Sequence, residues 1–226
     1  LFAMAMPRAS GKTTIAEIAC LWAMLYGHRR CIMLIGADLD SSMQMLDNLK
    51  MELECNDLLL EDFPAATYPI RCLDGIAQRT NGQLYDGKRT YIDWPARNIV
   101  LPTIYGIPSS GCAVIARGIT GKIRGFKMAH PAGGNVRPDL VVIDDPQTDE
   151  SAKILSQSYD RERVLAVAVL GLAGPDRKIA GIMPCTVIHK GDMADSILDR
   201  DKHPEWQCER TKMFYTFPSD EKLWDE

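Results

Sequence analysis

The residue types best suited to chemistry lie near the start of the chain, in the segment Pro7-Arg8-Ala9-Ser10-Gly11-Lys12-Thr13-Thr14. An apolar run, LFAMAM, precedes this segment, and the helical pattern IAEIACLWAMLY follows it. A turn that begins a helix presents backbone N–H groups to anions, and Gly11 places no Cβ in their way. Lys12 can reach the β- and γ-phosphates of ATP, and the Thr13 hydroxyl can ligate Mg²⁺. The segment therefore predicts a phosphate-binding loop (Walker A) for ATP with Mg²⁺.

One position of this loop departs from the pattern G-x-x-x-x-G-K-[ST], and one of its variable positions holds an unusual residue. Met6 stands in place of the first glycine, and Arg8 adds a second cation. Such a cation is costly unless an anion neutralises it, so we expect Arg8 to contact the γ-phosphate and to stabilise charge in the transition state. The alternatives are a solvent-facing arginine and, for the whole segment, an ordinary strand–turn–helix with an exposed lysine.

A second candidate motif is DLVVIDDP, residues 139–146, in which an apolar strand ends in two carboxylates. Ligands bind at the carboxyl ends of strands in open α/β sheets. Asp144 is predicted to hold Mg²⁺ as a Walker B aspartate, and Asp145 to orient or deprotonate the attacking water. Many related ATPases have glutamate at the second position, so Glu150 is kept as an alternative base.

The run KIAGIMPCTVIHKGDMADSIL places Thr186 after a further apolar strand and before a helix. A hydroxyl at that position could sense the γ-phosphate. His189 follows closely, but a lone histidine in a polar turn is more often solvent-exposed, and we leave it out of the catalytic set.

The stretch between Trp94 and Pro138 contains no acidic residue and six basic ones: Arg97, Arg117, Lys122, Arg124, Lys127 and Arg137. Within a chain of net charge −4, such a stretch could bind the phosphates of DNA. The alternatives are a solvated face and an arginine that senses the nucleotide, since GITGKIRG is rich enough in glycine to form a mobile loop.

Strands alternate with helices along the chain, which predicts a three-layer α/β fold with a mostly parallel central sheet. Helices are expected after the phosphate loop, ending at Gly27, after a cap at Asp38 or Asp40, and from about Glu150 to Leu172. RTYIDWP and RNIVLP predict a hairpin or paired edge strands joined at Pro95-Ala96, and residues 56–87 predict loops with short helical pieces.

Composition excludes several classes of protein. Of 226 residues, 46% are hydrophobic and 25% charged, which is typical of a folded globular domain. Uncharged runs such as VLAVAVLGLAG are too short to cross a bilayer. The seven cysteines are odd in number and never in C-x-x-C spacing, so we expect mostly buried thiols in a reducing cytosol, not disulfides or a zinc site. The abrupt first and last residues predict a fragment of a longer chain.

In this order, PRASGKTT, ARGITGKIRG, VVIDDPQ, SYDRERV, PCTVIHKGDMADSIL and the HPEW…FPSDEKLW ending resemble the ATPase domain of the large terminase subunit of tailed bacteriophages. An arginine-bearing loop without the first glycine is typical of that family. The resemblance implies a P-loop NTPase fold of the ASCE type. It also assigns Lys12 and Thr13 to Walker A, Arg8 to the loop arginine, Asp144 to Walker B and Thr186 to the coupling motif.

The resemblance further implies an ATP-driven motor that moves double-stranded viral DNA into a procapsid in the host cell cytoplasm. Its expected partners are the DNA, the portal protein, the small terminase subunit and further copies in a ring. Residues 1–204 would form the ATPase domain, without its adenine-contacting start. Residues 205–226 would end that domain and lead toward an RNase H-like nuclease domain.

Two other functions remain open from the residues alone. A small-molecule kinase would share the phosphate loop but would need an acceptor site and usually a lid with clustered arginines. A nucleotide-binding module without hydrolysis would result if Asp145 cannot activate water. ATP turnover, measured with and without double-stranded DNA, separates the three functions.

Overall fold

The central feature of the computed structural model is a seven-stranded sheet in the order β11-β1-β10-β9-β2-β6-β5. The structure describes residues 1–121, 123, 125–169, 171–172, 174 and 178–216. Six of the strands are parallel, and β5 alone among the described strands of this sheet is antiparallel to its neighbour. These strands are β1 (Phe2–Ala5), β2 (Cys31–Gly36), β5 (Asn98–Val100), β6 (Ala113–Gly118), β9 (Leu140–Ile143), β10 (Ala180–Cys185) and β11 (Gln207–Arg210).

Helices cover both faces of this sheet. Along β2, Ile32 and Leu34 face one apolar cluster, whereas Met33 and Ile35 face another, because successive side chains of a strand point to opposite faces. The helices are α1 (Lys12–Leu25), α2 (Leu39–Cys55), α3 (Asp57–Asp62), α4 (Pro64–Arg71), α5 (Asp149–Lys153), α6 (Leu155–Val164) and α7 (Met193–Ile197). Helices α1, α2 and α4 contribute to the first cluster and α7 to the second. The predicted three-layer α/β architecture, consistent with a P-loop NTPase, is confirmed.

Several local predictions are confirmed residue by residue. Helix α1 ends at Leu25, and Gly27 follows it with a φ of 71°. Asp38, not Asp40, caps α2, and its side chain accepts a hydrogen bond from the Ser41 backbone N–H at 2.8 Å. Asp93 and Val100 exchange backbone hydrogen bonds, which pairs the two predicted edge segments across the turn at Pro95.

The single long helix predicted from Glu150 to Leu172 is wrong. Helix α5 stops at Lys153 because Ile154 adopts an extended conformation, with a φ of −107° and a ψ of 104°. Helix α6 then begins, and a π-helical turn (Leu165–Val169) continues it. The Ser151 carbonyl oxygen accepts the Ile154 backbone N–H at 3.3 Å and also the Ser158 hydroxyl at 3.2 Å, which connects α6 to the end of α5. A helical periodicity does not reveal such a break.

Within residues 56–87, the structure has α3, α4, a 3-10 turn (Ala77–Thr80) and the strand β3 (Leu84–Tyr85). Strand β3 forms a hairpin with β4 (Lys88–Arg89), which follows this range. A second small hairpin joins β7 (Met128–Ala129) to β8 (Asn135–Val136). No helix in the described part of the chain is both long and apolar enough to cross a bilayer.

All seven cysteines are free thiols, as expected. Four of them are buried: Cys20, Cys31, Cys112 and Cys185. Burial raises the pKa of Cys31 and that of Cys185 to about 12, so both remain protonated at neutral pH.

A buried histidine connects α6 to the segment before β11. His203 Nε2 lies 2.8 Å from Glu162 Oε1, and its Nδ1 lies 3.1 Å from Glu205 Oε1. Burial by itself lowers the pKa of His203, but the hydrogen bonds to Glu162 and Glu205 outweigh it and raise the pKa above 6.5. Two carboxylates at the two ring nitrogens favour the doubly protonated imidazolium.

This arrangement predicts a pH-dependent contribution to stability. Because the pKa is higher in the folded protein than in the unfolded chain, the stabilisation is complete below the unfolded pKa and is lost as pH rises through the folded pKa. We expect wild type to exceed His203→Gln in Tm at pH 5.5, and this difference to shrink by pH 9. Thermal melts of both proteins across this range measure it, and a difference that is constant with pH would contradict the ionic role.

Candidate active site

The loop between β1 and α1 has the backbone conformation that the phosphate-binding prediction requires. Ala9 and Gly11 adopt left-handed conformations, with φ values of 62° and 76°. Among the described residues beyond its two chain neighbours, no atom lies within 4 Å of where a Cβ on Gly11 would be, so it is the positive φ, not lack of space, that favours glycine there. Gly11 occupies the N-cap of α1 with no side-chain capping bond, and no acidic residue lies in the first turn. The N–H groups at the start of α1 can therefore bind an anion.

The sheet order places the ends of β1, β10 and β9 side by side. Ala5 of β1 pairs with Cys185 of β10, and Ile182 of β10 pairs with Val142 of β9. The phosphate loop, Thr186 and the two aspartates that follow β9 therefore leave the same edge of the sheet. This brings the three predicted motifs together at one site.

Lys12 and Asp145 form an ion pair at this edge. Lys12 Nζ lies 2.9 Å from Asp145 Oδ2, and the lysine side chain is only 9% exposed. Asp145 has an unusual backbone conformation for a residue with a Cβ, with a φ of 36°. The Asp145 carboxylate therefore lies next to the Lys12 ammonium group, which is predicted to bind phosphate.

Thr13 and Asp144 form the second link between the loop and β9. The Thr13 hydroxyl donates to Asp144 Oδ2 at 2.7 Å. Burial raises the pKa of Asp144 and the negative charge of Asp145 raises it further, whereas the hydrogen bond from Thr13 and the charge of Lys12 oppose this rise. A bound cation would reverse the effect of burial, because it favours the ionised carboxylate.

The donor set at Thr13 and Asp144 fits Mg²⁺. The second carboxylate oxygen, Asp144 Oδ1, is buried and has no hydrogen-bond partner among the described residues. Mg²⁺ is commonly held by one or two carboxylates together with substrate phosphates, so one aspartate and one hydroxyl are a suitable protein contribution. No group of three or more metal-ligating His, Cys, Asp or Glu residues occurs within the described ranges.

Arg8 lies on the same loop, and its guanidinium donates to the carboxylate of Asp149 in the first turn of α5. Both side chains are more than half exposed. Arg8 is thus exposed but paired with a carboxylate, and its contact with the γ-phosphate stays a prediction. Glu150, the alternative base, is the next residue of α5 and is exposed.

Two residues that were not singled out from the sequence, Gln147 and Asp192, are hydrogen-bonded to each other beside Thr186. Thr186 Oγ1 is buried without a hydrogen-bond partner among the described residues, and the Thr186 carbonyl accepts from Gln147 Nε2 at 3.0 Å. The same amide nitrogen donates to Asp192 Oδ2 at 2.8 Å. Asp192 caps α7, and an aspartate before the helical pattern MADSI is a sequence signal that could have found it. His189 is exposed, as expected.

The basic stretch contributes a cleft of about 310 Å³ next to the end of β6, lined by Arg97, Arg117 and backbone near Gly118 and Gly121. The Arg117 guanidinium lies over the Phe126 ring, 4.6 Å from its centroid. Burial lowers the pKa of Arg117, and the nearby charge of Arg97 lowers it further. Among the described residues, no carboxylate forms an ion pair with either arginine.

Four further basic residues belong to this stretch. Lys127 and Arg137 are exposed. Lys122 and Arg124 lie outside the described residues. The structure therefore gives the positions of four of the six basic residues: Arg97, Arg117, Lys127 and Arg137.

Comparisons with known proteins give likenesses in structure only. No family model matches the chain, and no curated protein is significantly similar to it in sequence. The large terminase of bacteriophage HK97 is similar over 99% of this chain, with 13% identity and a TM-score of 0.48, and the chain spans only 38% of that protein. A mutant of the ATPase domain of the Thermus phage P74-26 large terminase is similar over 92% of this chain and 74% of its own, with 14% identity and a TM-score of 0.46.

Proposed function

We propose that the chain is the ATP-hydrolysing motor domain of a viral terminase large subunit, which drives double-stranded DNA into a procapsid. The observation that carries the hydrolytic part is the meeting of Lys12 and Thr13 with Asp144 and Asp145 at one sheet edge. The ordered motifs of the sequence, including the loop arginine, support the terminase assignment.

Each residue of the site receives one role. The loop Pro7–Thr14 and the start of α1 bind the phosphates, with Lys12 as their charged partner. Thr13 and Asp144 would hold Mg²⁺, which neutralises charge on the phosphate oxygens when it is bound. Asp145 orients the attacking water and accepts its proton, and Thr186 senses the γ-phosphate. Arg8 supplies positive charge to the transition state.

We further propose that the protein acts in the host cell cytoplasm with DNA, the portal protein, the small terminase subunit and further copies of itself in a ring. Residues 1–204 would form the ATPase domain. Residues 205–226 would complete it and lead to a nuclease domain, and of these residues Gln207–Arg210 form β11 at the sheet edge beside β1.

ATP turnover of the purified protein, with and without double-stranded DNA, tests the proposal. We expect DNA to stimulate hydrolysis, and replacement of Arg97 and Arg117 by glutamine to weaken DNA binding. Each DNA phosphate that the variant no longer binds should lower the slope of log affinity against log salt by roughly 0.9. Lys212→Gln is the control for removal of an exposed charge. Phosphate transfer from ATP to a small acceptor molecule would favour a kinase. ATP binding without turnover would favour a nucleotide-binding module that does not hydrolyse ATP.

The two aspartates are expected to separate binding from turnover. Asp145→Asn removes the carboxylate that lies 2.9 Å from Lys12 Nζ, so ATP should bind at least as tightly as in wild type. Turnover should fall about 10²- to 10⁴-fold, because water activation acts in the transition state. Asp144→Asn should weaken binding of Mg²⁺–ATP as well as turnover.

Equilibrium binding of Mg²⁺–ATP, measured beside single-turnover hydrolysis, distinguishes these roles. An equal loss of binding in both variants would contradict the division of labour. Turnover at the wild-type rate in Asp145→Asn would instead assign the base to Glu150, which Glu150→Gln then tests.

A further inference from the structure

A buried amide–carboxylate pair connects the segments that follow β9 and β10. Gln147 Nε2 donates to Asp192 Oδ2 at 2.8 Å and to the Thr186 carbonyl at 3.0 Å. Gln147 and Asp192 are 6% and 1% exposed. Because both contacts of the amide nitrogen are acceptors, they determine which end of the amide is nitrogen. Gln147 therefore has one defined orientation.

Asp192 organises the turn that follows β10. Its Oδ2 also accepts from the backbone N–H groups of Ile188 at 2.7 Å and His189 at 2.9 Å. Its Oδ1 accepts from the Asp195 N–H at 2.8 Å, at the start of α7. Hydrogen bonds to a buried carboxylate are stronger than those between neutral groups. Asp192 thus holds the turn from Thr186 to Asp192 together with Asp195, whose Oδ2 accepts from the Gly191 N–H at 2.7 Å, and Gln147 is attached to Asp192.

The segment that follows β9 is also held by hydrogen bonds from Asp145 to β10 and from Arg161 of α6 to Pro146. Asp145, two residues before Gln147, keeps its positive φ while its N–H donates to the Pro184 carbonyl at 3.1 Å. Arg161 Nη1 donates to the Pro146 carbonyl at 2.7 Å and to the Ala37 carbonyl at 3.1 Å. A backbone conformation of this kind persists only where surrounding contacts fix it. Gln147 provides the contact on the side of Thr186.

We propose that Gln147 is a positioning residue, which Asp192 orients and which holds the Asp145 carboxylate at a fixed position relative to Thr186. This role rests on the hydrolytic function proposed above. A shift of Thr186 and its turn moves the acceptors of the Gln147 amide, and Gln147 is joined to Asp145 through Pro146 alone. The position of the water-activating carboxylate therefore depends on the end of β10, without any contact of Gln147 with the reacting atoms.

Two substitutions of Gln147 separate positioning from mere packing. Gln147→Met keeps the length of the side chain and removes the donor. We expect kcat to fall at least about 10-fold, since small misplacements of catalytic groups have effects up to about 10²-fold. Affinity for Mg²⁺–ATP should stay within about twofold of wild type, because Lys12, Thr13 and Asp144 are untouched.

Gln147→Glu places a second carboxyl group against Asp192, where two such groups share a proton at low pH. The protonated glutamic acid can donate to Asp192 Oδ2 as the amide does, whereas the ionised form repels it. We expect kcat of Gln147→Glu, relative to wild type at the same pH, to rise as pH falls from 8.5 to 5.5. The ratio for Gln147→Met should stay constant.

The wild-type profile, measured in parallel, accounts for the other titratable and charged groups of this region: Lys12, Asp144, Asp145, His189, Asp195 and Arg210. Gln157→Met and Gln157→Glu, at an exposed glutamine of α6, are the matched controls and should behave as wild type throughout. Tm values of all variants show which of them fold.

The possible outcomes are distinct. Wild-type kcat in Gln147→Met, or a Gln147→Glu ratio that does not change with pH, would overturn the positioning role while leaving the ATPase proposal intact. Parallel losses of ATP affinity and Tm in both variants would show a structural role and overturn it too. Absence of ATP hydrolysis in the wild-type protein would overturn the proposed function first, and the positioning role with it.

Discussion

Lys12→Ala is expected to abolish ATP hydrolysis and to weaken ATP binding. The substitution removes the ammonium group of Lys12, the first residue of α1, which is buried beside Asp145. Removing one such donor at a developing negative charge typically costs about 10²- to 10³-fold in rate. Loss of the cation also leaves Asp145 to repel the incoming phosphates. Turnover should therefore fall by at least about 10²-fold.

Steady-state turnover and equilibrium ATP binding measure this effect. Lys190→Ala is the matched control, because Lys190 is an exposed lysine of the turn after β10. Wild-type turnover in Lys12→Ala would refute the phosphate-loop assignment, whereas loss of turnover in both variants would indicate a general effect of removing positive charge.

Arg8→Ala is expected to lower kcat by about 10³- to 10⁵-fold with little change in ATP affinity, as for arginines that stabilise charge on a transferring phosphoryl group. Arg8→Lys should restore little, because an ammonium lacks the planar arrangement of donors. The ion pair with Asp149 is exposed and contributes little to stability, so Tm should hardly change.

Asp149→Ala provides the decisive comparison for Arg8. If Arg8 acts on the phosphates, removing its carboxylate partner leaves the guanidinium available and turnover stays near wild type. If the Arg8–Asp149 pair only ties the loop to α5, both alanine variants lose turnover equally. Single-turnover hydrolysis beside equilibrium ATP binding, in all four proteins, distinguishes the two cases. Full activity in Arg8→Ala would exclude the transition-state role.

The sequence predicts local structure well where short-range chemistry decides it. Gly27 ends α1, Asp38 caps α2, and the apolar runs at 113–118, 140–143 and 180–185 form parallel strands. The phosphate loop and the acidic strand end could also be predicted, because each motif lies within a few consecutive residues.

The remaining features depend on contacts between distant parts of the chain. The strand order, the Lys12–Asp145 ion pair and the Gln147–Asp192 pair join segments that no local pattern relates. The break at Ile154 lies in a helical pattern and is stabilised from Ser158, so helical periodicity alone does not predict it. Arg8 was expected to face phosphate or solvent, and its contact with Asp149 required the position of α5.

The pairing of β1 has a consequence for how the protein folds. Phe2 of the first strand pairs with Ile182 of β10 and with Gln207 of β11. Strands β2 and β6, which also pair with each other, are separated by a shorter stretch of chain. Contacts between residues so far apart form slowly, because a long loop must close first. The phosphate loop follows β1, so its anion-binding shape should arise in the last phase of folding. During refolding, binding of a fluorescent ATP analogue should lag behind the recovery of helical circular dichroism.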